Sequence, residues 1–117
     1  MTVGMVTMPD DEQVDLWPGQ VQAALRQFAE ERDWVRFHSP RNLLLALVGE
    51  VGELAELYQW DPPEPPPANR LAEEVADVLI YLLRFADVAG VDVVRAVAEK
   101  MAANAVRFPA GGQATGR

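Results

Sequence analysis

The residues best suited to chemistry in this chain are two acidic pairs, Glu50/Glu53 and Glu74/Asp77, each spaced i,i+3 within an otherwise apolar stretch. On an α-helix, residues three apart lie about 60° from one another around the axis, so each pair points one way. Projecting residues 43–60 as a helix sets Leu43, Leu47, Leu54 and Leu57 on the side of Glu50, with Asn42, Glu56 and Gln59 opposite. The projection of 71–85 gathers Leu71, Val78, Tyr81 and Phe85 around Glu74 and Asp77, and puts Glu73 beside Arg84 on the polar arc. The pairs therefore belong to greasy faces, where a carboxylate must be protonated, paired or bound to a cation. Four converging carboxylates, in a chain with no Cys and a single His, suit Mg²⁺, with Mn²⁺ as a substitute, rather than zinc. Such an ion points to a phosphate-bearing substrate. The alternative is that these are helix-surface acids at a subunit seam, paired with Arg.

Two neighbouring helices must hold such a site. Ser39-Pro40 is a start signal for the first of them, because Ser caps and Pro favours the first helical position. Pro62, Pro63, Pro65, Pro66 and Pro67 end it and form a stiff, extended connector. Asn69 caps the next helix, which runs to Ala89 and stops at Gly90, a residue suited to a left-handed turn. An earlier helix spans residues 18–33, with Val21, Ala24, Leu25 and Phe28 at helical spacing, and a last one starts at Asp92 and reaches Arg107. No strand pattern interrupts them, since residues 91–97 place Asp92, Arg95 and Ala96 in helical order. The expected fold is an all-α, four-helix bundle spanning residues 16–109, flanked by flexible tails at 1–15 and 110–117. Gly49 and Gly52 cost the acid-bearing helix about 1 kcal/mol each relative to Ala. An offsetting gain is expected, namely the close approach of another helix or a ligand beside the acids.

Length and composition bound the rest. A chain of 117 residues with 50% hydrophobic and 24% charged residues is one globular domain. Bundles this short commonly complete their core against a copy of themselves. A formal net charge of −8 disfavours nucleic acid polymers and anionic membranes, both of which need a cationic surface. No apolar run reaches the ~18 residues of a membrane span, and the polar, acidic first fifteen residues do not read as a signal peptide, so a cytoplasmic protein is expected. A negative protein that binds polyphosphate must supply local positive charge, and here Lys100 is the sole lysine.

The blocks around these acids resemble the MazG-like, all-α nucleotide pyrophosphohydrolases, and most closely their dCTP pyrophosphatase branch. The similarity runs through Glu31-Arg32-Asp33-Trp34, Phe37-His38-Ser39-Pro40-Arg41-Asn42, the stretch from Leu47 to Leu57 with Gln59-Trp60, and Glu73 to Leu82. It spans about residues 20–109, with the separate blocks in the right order. The resemblance implies that Glu50, Glu53, Glu74 and Asp77 hold Mg²⁺ and form the catalytic set, with Asp77 or a neighbouring Glu orienting the water. It further implies that Lys100, Asn104 and Arg107, one helical stripe, grip phosphate oxygens. Trp34, Trp60, Tyr81 and His38 would enclose the base, with Trp60 before the Pro-rich connector serving the neighbouring subunit's site. Gly49 stands where the wider superfamily usually has an acid, a glycine that the dCTP branch shares. One departure from the branch remains: Leu25 stands where its members can carry His.

The function so implied is Mg²⁺-dependent hydrolysis of dCTP or a modified dCTP to the monophosphate and pyrophosphate, by a homodimer or a dimer-of-dimers tetramer. Same-fold action on dUTP, another noncanonical nucleotide or a phosphoribosyl-nucleotide is the nearest alternative. A non-enzymatic helical dimerisation module is the alternative from a different class.

Overall fold

The computed structural model describes residues 17–60 and 64–111. Among them the chain is all-helical: α1 (Gly19–Glu31), a 3₁₀ turn (Val35–Phe37), α2 (Pro40–Glu56), α3 (Ala68–Ala89) and α4 (Val93–Arg107). The expected tail at 1–15 lies outside the described residues, as do 112–117 of the second tail and Pro62 and Pro63 of the connector.

Local chemistry accounts for most helix ends. Ser39 is extended, and its hydroxyl accepts from the Asn42 amide at 3.1 Å, with Pro40 in the first turn. Asp92 does the same for α4, accepting from the Arg95 amide at 3.0 Å. Gly90 closes α3 at φ 76°, in the left-handed region where an L side chain is strained. The start of α3 differs from expectation. Pro67, not Asn69, is the boundary residue: its extended backbone (φ −56°, ψ 138°) presents its carbonyl to the Leu71 amide at 3.0 Å, and Asn69 is already inside the helix. The first helix also stops earlier than its periodicity suggests. Asp33 takes φ 57°, and the Trp34 amide folds back onto the Ala29 carbonyl at 2.9 Å, turning the chain towards α2.

Packing centres on α2 against α3, with α1 laid across the second half of α3. His38, just before α2, meets Arg84 late in α3, while Glu50 late in α2 meets Glu74 early in α3, so the two helices run antiparallel. Leu43, 1% exposed, is the most deeply buried side chain of the core, and Ala29, Leu83 and Ala86 are buried as well. A side-chain bond from Gln22 to the Leu83 carbonyl, 2.9 Å, and the ion pair of Arg26 with Asp87 fix α1 to α3.

Much apolar surface stays uncovered. Leu45 and Val48 of α2, Leu79 and Leu82 of α3, and Val94, Val97, Met101 and Val106 of α4 are all exposed. An apolar groove lined by Leu82, Phe85, Val94, Val97 and Met101 lies between α3 and the last helix. Gly49 and Gly52 are exposed too, and a methyl group added at either would meet nothing within 4 Å. The expected close approach is therefore not made by any other helix of this chain among the described residues.

Candidate active site

Antiparallel pairing of α2 and α3 brings the acids into register. One carboxylate oxygen from each of Glu50, Glu74 and Asp77 lies within 4.8 Å of the other two. Glu74 is 7% exposed, whereas Glu50 and Asp77 are half-buried. Glu53 is exposed and stands outside this group, one turn further along α2, although its charge still reaches Glu50. The greasy-face expectation thus holds for Glu74 and fails for Glu53, while Glu73 is solvent-exposed as expected.

The electrostatics of this cluster are unfavourable as they stand. Glu50 holds its proton to higher pH than an ordinary carboxylate, first because burial penalises its charged form and then because Glu53, Asp77 and Glu74 repel it. Arg70 supplies one counter-charge, its Nη2 donating to Glu74 Oε2 at a long 3.4 Å. Glu74 Oε1 is buried and has no hydrogen-bond partner. An ionised oxygen left unpartnered away from water costs several kcal/mol unless a cation meets it. Three carboxylates closing on one point, one with a spare buried oxygen, fit a hard divalent cation, which takes oxygen ligands and little else.

Along α3, one turn and about 6 Å beyond Asp77, Tyr81 opens onto a second feature. A cavity of about 330 Å³ is walled by Leu25, Phe28, Ala29, Trp34, His38, Ile80, Tyr81 and Arg84. Its volume and its mostly apolar, aromatic lining with a few polar groups are those of a small-molecule pocket. Trp34 meets Phe28 edge-on at 5.7 Å, and its ring centroid lies 6.5 Å from that of His38. The residues 32–38 are turned back towards α3 by Asp33 and the 3₁₀ turn, which brings Trp34 and His38 to the same wall.

Of the expected base-enclosing residues, Trp34, His38 and Tyr81 share this cavity. Trp60 does not: it is 74% exposed beyond the end of α2. Lys100, Asn104 and Arg107 lie along α4, all exposed, and none forms a side-chain bond to the acid cluster among the described residues. Leu25 is a cavity wall, so a polar residue missing from that position removes a polar contact from the pocket itself. Arg84 is the residue that the sequence placed wrongly. Helical projection set it on the solvated arc, yet it is 6% exposed, paired with Asp87 at 3.2 Å and bonded to His38 at 3.1 Å. The available signal was the i,i+3 spacing of Arg84 and Asp87, which allows an ion pair inside the helix face.

Comparison with known proteins agrees with this geometry. The MazG nucleotide pyrophosphohydrolase domain matches residues 38–109, well over half of the chain. The chain belongs to this family. Within the MazG family it is 56% identical over 91 residues to dCTP pyrophosphatase 1 of Bos taurus, covering 71% of this chain and 54% of that protein. To dCTP pyrophosphatase 1 of Homo sapiens it is 55% identical over 92 residues, covering 72% and 54% respectively. The chain therefore spans about half the length of these curated relatives. A crystal structure of a pyrophosphatase from Archaeoglobus fulgidus superposes with a TM-score of 0.66 at 31% identity, covering 90% of this chain and 99% of that one. The all-α fold expected from the sequence is thus a MazG fold, and no helix among the described residues is long and apolar enough to cross a membrane.

Proposed function

We propose that this protein is a Mg²⁺-dependent pyrophosphohydrolase that converts dCTP, or a dCTP modified on its base, to the monophosphate and pyrophosphate. The observation that carries the reading is the pairing of the Glu50/Glu74/Asp77 cluster with an aromatic cavity one helical turn away. That arrangement can hold a charged phosphate at one end and a flat ring at the other. Relatives named for dCTP hydrolysis support the choice of nucleotide.

In this reading Glu50, Glu74 and Asp77 hold the divalent ion, with Glu53 joining them by a change of side-chain rotamer. The bound ion supplies charge neutralisation at the phosphates and acidifies coordinated water. The chain's own groups do the rest. Asp77 or a neighbouring Glu orients a water against one phosphorus of the α–β anhydride. The water oxygen bonds to phosphorus, the bond to the bridging oxygen breaks, and the water's protons pass to carboxylate and solvent. Lys100, Asn104 and Arg107 grip phosphate oxygens, a point charge, an amide and a planar fork on one stripe. Trp34 and Tyr81 stack on the base, and His38 contacts its edge.

The uncovered aliphatic faces of α2, α3 and α4 support a homo-oligomer, dimer or dimer-of-dimers, in which Trp60 serves a neighbouring copy's site. A second reading keeps fold and metal but changes the base, to that of dUTP or another noncanonical nucleotide. Leu25 in the cavity wall is the observation that favours it. A nucleotide panel with and without Mg²⁺, with products resolved by chromatography, tests both. The expected products from dCTP are dCMP and pyrophosphate, only with Mg²⁺, and dCDP with phosphate would overturn the bond assignment. Stability and turnover indifferent to both Mg²⁺ and nucleotide would favour a helical dimerisation module instead.

A further inference from the structure

A guanidinium taken out of water needs partners, and Arg84 has more than an ion pair requires. Its Nη1 donates to Asp87 Oδ2 at 3.2 Å. Asp87 is itself clamped by Arg26, whose Nη2 donates to Oδ1 at 2.9 Å and whose Nε donates to Oδ2 at 3.0 Å. The clamp spans α1 and α3, so the Arg84 side chain is held from two helices. Its Nε–H is not spent on a carboxylate. It donates instead to Nδ1 of His38, at 3.1 Å, at the wall of the aromatic cavity.

A guanidinium N–H can only donate, so His38 Nδ1 must carry a lone pair. The imidazole is then neutral, with its proton on Nε2. Burial and the adjacent Arg84 charge both lower the pKa of His38, in that order, which keeps the ring neutral. With Nδ1 engaged, the hydrogen-bonding atom that His38 has left is Nε2–H, a donor whose sense is fixed. An unrestrained neutral imidazole would offer either a donor or an acceptor by exchanging tautomers.

We propose that Arg84 is a positioning residue for base selection: it locks His38 as an Nε2–H donor, so that the cavity accepts a pyrimidine presenting a lone pair at ring N3 and rejects one presenting N3–H. Cytosine has the lone pair. Uracil and thymine carry N–H at the same position, and two opposed donors leave both unsatisfied in a water-poor pocket. Arg26 and Asp87 act one step further out, by fixing the guanidinium. The proposal rests on the reading that this cavity receives the base.

His38 is the single histidine of the chain, so one ring reports without ambiguity. ¹⁵N-histidine spectra of the full chain should show the Nε2–H tautomer in the wild type. In Arg84→Met, which keeps the aliphatic stem and loses the donors, a mixed tautomer population is expected. In the same variant the kcat/KM ratio of dCTP to dUTP should fall about tenfold, the size of one lost hydrogen bond, with the loss carried by KM for dCTP rather than by kcat. Arg84→Lys, which retains an N–H donor, should restore part of both signals, and Asp87→Asn should shift both in the direction of Arg84→Met while preserving shape. Unaltered tautomer in Arg84→Met and Asp87→Asn, or equal losses for the two nucleotides, overturns the positioning role. If Arg84→Met does not fold, the Arg84→Lys and Asp87→Asn spectra and ratios decide alone. Turnover of neither nucleotide by a wild type that shows the expected tautomer refutes the reading of the cavity as a base site, and base selection with it.

Discussion

Replacing Glu74 by Gln should make the metal-free protein more stable and the enzyme inactive, two effects of opposite sign from one atom change. Glu74 is the buried member of the acid cluster, with oxygens of Glu50 and Asp77 within 4.8 Å. For the Glu74–Asp77 pair alone, two unit charges at that distance repel by about 1 kcal/mol at the permittivity of water and about 3 kcal/mol at an effective value of 20. Against the gain stands the long bond to Arg70, an i,i+4 pair with Arg70 half in solvent, worth about 0.3–0.5 kcal/mol. An amide in place of the carboxylate also gives the neighbouring acids an N–H to accept from. A net stabilisation of about 1 kcal/mol follows, or about 4–8 °C in Tm for a domain this size. Scanning calorimetry in EDTA should show Tm rising in Glu74→Gln, while the rise that Mg²⁺ gives the wild type should vanish. Turnover of dCTP should fall at least about a hundredfold. A variant less stable than wild type in EDTA, yet still stabilised by Mg²⁺, would refute the claim that these acids repel one another around an ion site.

Three further outcomes are expected. Glu50 keeps its proton above the ordinary carboxylate value of 4.5, so in the window just above that value the folded state holds a proton that the unfolded chain has released. Metal-free stability should therefore decline as pH rises through that window, and saturating Mg²⁺ should flatten the slope in a melting series. Ser39→Ala removes the cap of α2 and should cost about 1 kcal/mol, read as a lower denaturation midpoint with an unchanged m-value. Lys100→Met should lower kcat/KM for the triphosphate by about tenfold or more, while Tm stays put because the side chain is exposed.

What could be read from the chain depended on how local its cause was. Ser39, Gly90 and Asp92 act within one turn of themselves, and each ends or starts its helix where its chemistry dictates. Asn69 misled because Pro67 already supplied an extended residue with a free carbonyl, so no side-chain cap was needed. The acid cluster was legible because an i,i+3 repeat on an apolar arc is an angular fact. Whether Glu53 joined it depended on height along the helix, and that is set by how α2 meets α3. Arg84 escaped notice for the same reason at longer range. One partner, Asp87, lies within α3 itself, but His38 is 46 residues away, and the Arg26 that clamps Asp87 is on another helix; no projection of α3 alone contains those two. Trp34 and His38 were visible as residue types, but their shared wall is made by a left-handed Asp33 and a three-residue turn that carry no periodicity.

A chain that hides Leu43 yet leaves Val48, Val97 and Val106 in water has placed part of its own interior on its outside. If copies of itself supply the missing wall, abundance becomes a thermodynamic variable. Dilution should loosen α4, the helix with the thinnest tether, before it disturbs the pairing of α2 with α3. Since Lys100, Asn104 and Arg107 ride on that helix, the phosphate grip proposed for them would go first, while the protein stayed folded around its acids.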